Sequence, residues 1–301
     1  MTSLQTAPNE VRRFIVENQP VRGYWVDLES AWQDLRAHQE YPPAVRDLLG
    51  EAVSAAVLLA ATLKFQGTLT LQLEGQGQVR LLVAQCTHDF RVRAVARLTE
   101  GEEVGDSFRS LVGEGGRVLV TIEAAEREMR YQGIVPLTGD SLSECLEEYF
   151  ASSEQLPTRV RLAADGRRAV GLLVQKLPER DGEEPDQESP AAVAWRDAER
   201  GIESIKPSEL VGATLQGMLA GRFGAQDLRV FKGAPVEFAC RCSESRVESV
   251  LKTLGADEIR DVLREQGTVE VTCEFCQRPF RFDAFAVERL FATDGTPSSL
   301  H

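Results

Sequence analysis

Residues 237–245 read EFACRCSES and residues 271–280 read VTCEFCQRPF, and these two stretches decide how the last part of the chain folds. They place four of the six cysteines of a 301-residue chain in two close pairs, Cys240 with Cys242 and Cys273 with Cys276. Structural zinc takes four ligands in a tetrahedron, with zinc–sulfur distances of about 2.3 Å. The two pairs therefore predict one zinc ion held by four cysteines.

The spacing within each pair suits a shared ion. Cys273 and Cys276 have the gap that a tight turn needs to bring two sulfurs together. Cys240 and Cys242 are two residues apart, so in an extended strand both thiols point to the same face. The chain has only three histidines, none near the pairs, and we predict no histidine ligand.

The same pairs predict a redox switch. Sulfurs on a zinc tetrahedron lie about 3.7 Å apart, given a bond length of about 2.3 Å. A disulfide brings two sulfurs to about 2.05 Å. The two states exclude each other, so oxidation of either pair weakens the hold on the ion.

Three other interpretations of the four cysteines stay open at this point. They are unrelated buried thiols, a zinc ribbon that binds nucleic acid or protein, and a thiol oxidoreductase that uses Cys273 and Cys276. The spacing of the cysteines, which is that of metal ligands, argues against unrelated buried thiols. The net charge of −13 argues against a zinc ribbon that binds nucleic acid. The setting lacks the βαβ pattern of thioredoxin-like enzymes. We predict no catalytic residue, no other cofactor and no enzymatic activity.

The composition also limits the partners and the compartment. A net charge of −13 argues against binding to nucleic acid and to anionic lipid surfaces. The first residues lack the basic and apolar pattern of a secretory signal, and the most apolar window, residues 52–65, is too short to span a bilayer. We expect a soluble cytoplasmic protein, in which paired cysteines are metal ligands or redox-active thiols.

The periodicity predicts an α+β core domain over residues 1–177 with a largely antiparallel sheet. Residues 42–64 are predicted as a long buried helix that has Pro at its start. Residues 9–18, 28–39 and 141–150 are also predicted as helices. The predicted strands, which alternate apolar and polar residues between glycine-rich turns, are residues 67–75, 78–86, 90–98, 117–124, 129–137, 158–164 and 167–177. Cys86 and Cys145 lie in these apolar patterns, and both are predicted to be inert core residues.

Residues 178–235 are predicted to be an acidic and amphipathic helical linker. Its first part, PERDGEEPDQESP at 178–190, combines prolines with acids and predicts a mobile spacer. Two apolar stripes at helical spacing follow, and we expect them to pack on the core domain in the resting state. A second hypothesis is that they bind another partner when released. The residues of the stripes are Ala191, Ala194, Trp195, Ala198, Ile202 and Ile205, and then Val211, Thr214, Leu215, Met218 and Leu219.

Residues 236–301 are predicted to form a small zinc-binding domain. Two short helices, the first capped by Ser243, are expected between the cysteine pairs, with short strands beside the second pair. Structural zinc contributes about 10–16 kcal/mol in zinc-finger peptides, whereas whole domains are stable by about 5–15 kcal/mol. We therefore expect this segment to fold only when it holds metal. Its predicted core is Val250, Leu251, Leu254, Ile259, Val262 and Leu263, and Arg241, Arg278 and Arg281 are predicted to offset thiolate charge.

The residues at 238–267 and 273–290 resemble the C-terminal zinc domain of the heat shock protein 33 family of redox-regulated chaperones. The earlier stretches VRGYWVDL at 21–28, RYQGIVPLTG at 130–139 and CLEEYFASSEQLPTR at 145–159 are similar to the core motifs of that family. The resemblance runs nearly from end to end, and the CxC and CxxC pairs carry its specificity.

The resemblance implies an ATP-independent holdase that binds unfolding proteins under oxidative stress. In such a protein the reduced, zinc-bound form is inactive, and oxidants convert the pairs to Cys240–Cys242 and Cys273–Cys276 disulfides. Zinc then leaves, residues 236–301 unfold as a redox switch, and client-binding surface appears. The resemblance also implies a possible homodimer when oxidised and transfer of clients to ATP-dependent foldases.

Overall fold

Strands and helices follow each other in small groups in the computed structural model, which describes residues 8–99, 101, 105–124, 130–178, 188–224 and 226–292. The strands are β1 (Glu10–Val16), β2 (Val21–Leu28), β3 (Gly67–Glu74), β4 (Val79–Thr87), β5 (Arg91–Leu98), β6 (Arg117–Ala124), β7 (Arg130–Pro136), β8 (Thr158–Ala164), β9 (Ala169–Lys176), β10 (Leu228–Val230), β11 (Ala234–Pro235), β12 (Glu237–Phe238), β13 (Val269–Thr272) and β14 (Pro279–Phe282). The helices are α1 (Ser30–Arg36), α2 (Pro43–Thr62), α3 (Phe108–Val112), α4 (Leu142–Tyr149), α5 (Pro190–Glu203), α6 (Pro207–Gly212), α7 (Leu215–Phe223), α8 (Glu244–Leu254), α9 (Ala256–Gln266) and α10 (Ala284–Ala292), and a π-helical turn follows α4 at Phe150–Glu154.

The chain divides into two compact units at the bond between Ala239 and Cys240. The first unit contains two sheets. Sheet A has the strand order β10-β1-β2-β9-β8, with β11 also beside β1, and sheet B has the order β12-β5-β4-β3-β6-β7. All strand pairs in both sheets are antiparallel except β12 with β5. The predicted α+β class with a largely antiparallel sheet is confirmed.

Helix α2 fills the space between the two sheets. It packs against β2, β8 and β9 of sheet A and against β3, β4 and β5 of sheet B. Thirteen of its twenty residues are buried, from Val45 to Ala60. A helix that is apolar on nearly every side is stable only when it is enclosed in this way. The prediction of a long buried helix beginning at a proline is therefore confirmed.

The outer face of sheet A is covered by helices α5, α6 and α7, which we call the helical cover. Their apolar residues, among them Trp195, Ile202 and Met218, form one buried cluster with Phe14, Trp25 and other residues of sheet A. The expectation that the two stripes pack on the core is confirmed. Two members lie outside that cluster, the half-buried Ala191 and the exposed Thr214. Thr214 is instead the N-cap of α7, and its hydroxyl accepts a hydrogen bond from the Gly217 N–H.

The helical cover is fastened to sheet A by Arg168, whose role the sequence did not reveal. Its guanidinium donates to both carboxylate oxygens of Asp27, at 3.2 and 2.6 Å, and so joins β9 to β2. It also donates to the carbonyl oxygens of Val211 at 2.7 Å and Ala213 at 3.2 Å, where α6 ends. One side chain therefore satisfies a buried acid and the free carbonyls of a helix end.

The helix predicted at residues 9–18 is wrong, since these residues form β1. Val11 packs in the cluster around α2, whereas Phe14 and Val16 pack under the helical cover. A strand with both faces buried loses the alternation of apolar and polar residues that identifies an ordinary strand. The three-residue interval between Val11 and Phe14 then imitates a helical period.

The close packing of β1 on β2 predicts a sensitive glycine. Gly23 lies opposite Phe14 in the strand pair, and a Cβ at Gly23 would come within 2.1 Å of the Phe14 ring. We expect Gly23→Ala to lower the free energy of unfolding of the first unit by about 1–3 kcal/mol, as overpacking does elsewhere. The measurement is thermal unfolding followed by circular dichroism. Gly212→Ala is the control, because no atom lies within 4 Å of that Cβ position; equal stabilities would contradict the prediction.

The acidic spacer predicted at 178–190 lies mostly outside the described residues, which stop at 178 and resume at 188. Within the described ranges, none of the helices has both the length and the apolar character needed to cross a membrane.

Candidate metal centre

The first cysteine pair stands at the start of the second unit, immediately before α8. Ser243 follows Cys242 and caps α8, since its hydroxyl accepts a hydrogen bond from the Arg246 N–H. Arg246 also donates from Nη1 to the Arg241 carbonyl at 2.7 Å. The helix start therefore fixes the backbone between the two cysteines, and the predicted cap at Ser243 is confirmed.

The second cysteine pair lies in the turn of the hairpin formed by β13 and β14. Thr272 and Pro279 are the last paired residues of this hairpin. Inside the turn the Cys273 N–H donates to the Arg278 carbonyl at 3.0 Å, and the Gln277 N–H donates to the Cys273 carbonyl at 2.8 Å. Gln277 adopts φ of 54°, a left-handed conformation that is uncommon for a residue other than glycine. The turn thereby directs both thiols to the same point.

The structure brings the four predicted cysteines together. All four Sγ atoms lie within 4.8 Å of one another, and each of the four residues is partly exposed. Cys240 Sγ is 3.6 Å from Cys273 Sγ, and Cys242 Sγ is 3.4 Å from Cys276 Sγ. Four sulfurs around one tetrahedral zinc ion lie about 3.7 Å apart. The donor set and its spacing therefore fit a metal ion with four thiolate ligands.

The pKa of the Cys240 thiol lies below that of a free cysteine. Burial disfavours its thiolate, but hydrogen bonds from the Cys242 backbone N–H and from the neighbouring thiols outweigh burial and lower the pKa of Cys240 to about 7. Burial raises the pKa of Cys242 and of Cys276. A metal ion bound by four thiolates would displace the protons that these two thiols retain, so metal binding here is coupled to proton release.

Two of the three arginines predicted to offset thiolate charge have other partners. Arg281 forms an ion pair with Glu270 across the hairpin, with Nε 2.7 Å from Oε2. The Arg278 guanidinium lies over the Phe280 ring, 5.2 Å from its centre. These side chains therefore stabilise the hairpin. The hydrogen bonds that lower the pKa of Cys240 come instead from the backbone and from the other cysteines.

The second unit has a small apolar core next to the cluster. Cys242 and Cys273 pack against it. Its fully buried residues are Leu251, Ile259, Val269, Phe280, Phe282, Val287 and Leu290. The predicted core residues Leu251 and Ile259 are confirmed, and Val262 and Leu263 pack at its edge. The prediction that Val250 and Leu254 belong to this core is wrong, because they are 56% and 51% exposed on the outer side of α8.

The two remaining cysteines are separate from the cluster. Cys86 in β4 and Cys145 in α4 are both at most 1% exposed in the core around α2. Burial raises the pKa of both thiols, which keeps them protonated. The prediction that both belong to the core is confirmed.

Comparison with known proteins agrees with this arrangement. The family model described as Hsp33 protein matches residues 9–283. The 33 kDa chaperonin of Neisseria meningitidis serogroup A is 42% identical over 295 residues, which cover 96% of this chain and 95% of that protein. The 33 kDa chaperonin of Methylobacillus flagellatus is 39% identical over 288 residues, which cover 95% of each chain.

A solved structure shares the fold. The crystal structure of the 33 kDa chaperonin from Thermotoga maritima superposes with a TM-score of 0.80 at 24% sequence identity. The match covers 95% of this chain and 99% of that chain, so it includes both sheets, the helical cover and the four-cysteine unit. From the family match, and from relatives of about 40% identity over almost the whole length, the chain belongs to the Hsp33 family of chaperones.

Proposed function

We propose that this protein is a redox-regulated, ATP-independent holdase that binds unfolding proteins under oxidative stress. The observation that supports it best is the cluster of four sulfurs within 4.8 Å, because thiolates at this spacing serve either as metal ligands or as disulfide partners. Membership in a chaperone family supports unfolded proteins as the partners.

In the resting state we propose that Cys240, Cys242, Cys273 and Cys276 hold one zinc ion and that the chain does not bind clients. Zinc would supply charge compensation and, by coordination to the four sulfurs, a cross-link between the two halves of the second unit. A reducing compartment keeps these cysteines from forming disulfides, so we propose the cytoplasm as the location. The functional division that we propose is a core over residues 1–177, a linker over 178–235 and a redox switch over 236–301.

Activation would begin with oxidation of the cysteines. The two thiolates of a pair give two electrons to an oxidant such as hypochlorite, and a sulfur–sulfur bond forms. The oxygen–chlorine bond breaks, so that chlorine leaves as chloride and oxygen takes up two protons and leaves as water. Each bond removes two of the four ligands, and the cluster can no longer hold the ion. We propose Cys240–Cys242 and Cys273–Cys276 as the pairs, following the family resemblance, although cross-pairs such as Cys240–Cys273 are also within reach.

Loss of the cluster would unfold the second unit, release the helical cover and expose the apolar face of sheet A to clients. The oxidised form would associate as a homodimer, and reduction would pass clients to ATP-dependent foldases. The apolar residues between the helical cover and sheet A, among them Trp25, Leu172 and Phe223, support this part of the proposal because they are buried at rest.

Aggregation suppression tests the proposal. Oxidised, metal-free protein is expected to suppress light scattering by a thermally unfolding client, whereas reduced, zinc-loaded protein is not. Mass spectrometry of the oxidised protein is expected to find both proposed disulfides. Equal suppression of aggregation by the two forms would contradict the redox switch. Disulfides that join a cysteine of the first pair to one of the second would contradict the proposed pairing. Catalytic turnover of insulin disulfides would favour an oxidoreductase.

A further inference from the structure

The peptide unit that joins Arg241 to Cys242 is held at both of its polar ends. Its carbonyl oxygen accepts a hydrogen bond from Nη1 of Arg246 at 2.7 Å. Its N–H, which belongs to Cys242, donates to the sulfur of Cys240. Through this one peptide unit, the Arg246 guanidinium is therefore connected to a sulfur of the metal centre.

Arg246 stands at an unusual place for an arginine. Ser243 is the N-cap of α8, which makes Arg246 the third residue of the helix. That position often holds Glu or Gln, whose side chain accepts a hydrogen bond from the N-cap N–H, and cations are unfavourable near a helix N-terminus. Helix α9 follows the usual pattern, with Asp257 and Glu258 in its first turn. The arginine in α8 therefore has a local cause, and the contact with the Arg241 carbonyl supplies one.

The two cysteine pairs are held in different ways. Strand pairing reaches the second pair, where the Cys273 N–H donates to the Arg278 carbonyl at 3.0 Å beside the last paired residues of the hairpin. The first pair lies between the end of β12 at Phe238 and the start of α8 at Glu244, in a segment that is neither strand nor helix. At the first pair, a guanidinium therefore takes the part that the hairpin backbone takes at the second.

A disulfide within the first pair requires this peptide unit to move. The sulfurs of Cys240 and Cys242 lie within 4.8 Å of each other, and a disulfide would bring them to about 2.05 Å. Two residues apart in an extended chain, Cα atoms are separated by about 6.6 Å, near the upper end of the roughly 4.4–6.8 Å that disulfides allow. Since Arg241 is the single residue between the two cysteines, its backbone has to turn as the bond forms. The hydrogen bond from Arg246 opposes that turn.

We propose that Arg246 is a positioning residue of the metal centre, which holds the first cysteine pair in the arrangement that binds metal and opposes the disulfide between Cys240 and Cys242. The inference rests on the proposed redox switch and adds a residue that sets how readily the switch responds to oxidant. With hydrogen peroxide as the oxidant, two thiols lose two electrons and two protons and a sulfur–sulfur bond forms. The oxygen–oxygen bond of the peroxide breaks, and two molecules of water leave.

Cobalt(II) binding to the full-length, reduced protein tests the metal-binding half of this role, because the visible absorption of cobalt reports tetrahedral thiolate ligation. Arg246→Leu is expected to weaken cobalt binding by about threefold to tenfold, the equivalent of one hydrogen bond. Arg246→Lys keeps a charged donor and is expected to bind cobalt more tightly than Arg246→Leu. Arg264→Leu is the matched control, since this exposed arginine of α9 pairs with Asp261 of its own helix, and its affinity is expected to stay within about twofold of the wild type.

The identity of the first disulfide separates positioning from a general loss of stability. Zinc-loaded protein is treated with substoichiometric hydrogen peroxide, free thiols are alkylated, and mass spectrometry finds which pair is bonded in singly oxidised molecules. In Arg246→Leu the ratio of Cys240–Cys242 to Cys273–Cys276 is expected to rise by about threefold or more. A uniform loss of stability in the second unit would favour both bonds alike and leave the ratio unchanged. Hydrogen exchange of β13 and β14 verifies that the zinc-loaded variant is folded.

Each outcome decides the role of Arg246. Wild-type cobalt affinity or an unchanged disulfide ratio in Arg246→Leu would overturn the inference, as would an equal loss of affinity in Arg264→Leu or no recovery in Arg246→Lys. If the inference fails in this way while oxidised wild type suppresses aggregation, the redox-regulated function stands. If oxidised wild type does not suppress aggregation, the proposed function fails, and cobalt affinity together with the disulfide ratio still decides whether Arg246 positions the first pair.

Discussion

Cys273→Ser is expected to unfold residues 240–292 at room temperature and to leave the first unit folded. Within its described residues, 240–292, the second unit buries seven apolar side chains, which is a small core for a segment of this length. Structural zinc contributes about 10–16 kcal/mol in zinc-finger peptides, and most domains are stable by roughly 5–15 kcal/mol. Loss of one ligand from the cluster therefore removes a contribution comparable to the whole stability of the unit.

Hydrogen exchange and metal analysis measure this effect. Backbone amides of β13 and β14 are expected to lose protection in Cys273→Ser, and bound zinc is expected to fall from one ion per chain to below detection. Amides of α2 in the first unit are expected to keep their protection. Cys145→Ala is the matched control, because that buried thiol lies outside the cluster. Full metal content and protection in Cys273→Ser would show that the four cysteines are not the ligands.

Arg168→Leu is expected to loosen the packing of the helical cover while sheet A stays folded. The substitution leaves Asp27, whose side chain is 8% exposed, without its ion-pair partner and frees the carbonyl oxygens of Val211 and Ala213. Loss of one partner of a buried ion pair typically costs about 3–5 kcal/mol. Because Arg168, the residue before β9, links Asp27 of sheet A to the end of α6, we expect its loss to weaken the packing of the cover.

Tryptophan fluorescence reports the result. Trp25 and Trp195 lie in the cluster between the cover and sheet A, so their emission is expected to shift to longer wavelength as water enters, while binding of an apolar dye rises. Arg200→Leu is the control, since its pair with Asp197 is exposed and such pairs contribute about 0–1 kcal/mol. The double variant Asp27→Asn/Arg168→Leu removes the unpaired charge and is expected to recover part of the stability. Unchanged emission and dye binding in Arg168→Leu would contradict this role.

The sequence predicted those elements whose apolar residues all pack into the same core. Helix α2 and strands β3 to β6 each show one regular spacing of buried apolar residues. The cysteine pairs have the spacing of metal ligands, which few other kinds of site require. Strand β1 was misread because Val11 and Phe14 contact different cores on its two faces. The spacing of apolar residues in a sequence does not show whether one face or both faces of a strand will be buried.

Other features depended on contacts between distant residues. Val250 and Leu254 fit a helical stripe, but the small second unit has room only for one side of α8, where Leu251 is buried. Arg168 stands at the start of an apolar strand, and an isolated charge in that position was the available signal that a buried acid lay opposite. The pairing that puts Asp27 beside it spans more than 140 residues and cannot be read from local sequence.

The pairing of β1 with β10 and β11 also sets the order in which the protein can be made. Strand β1 leaves the ribosome more than 200 residues before its partners at 228–235. At about 5–20 residues per second, roughly 10–45 seconds separate the two. For that interval the nascent chain carries an open strand edge, the feature by which unfinished proteins aggregate. This chaperone is therefore exposed during its own synthesis to the hazard from which its family protects other proteins.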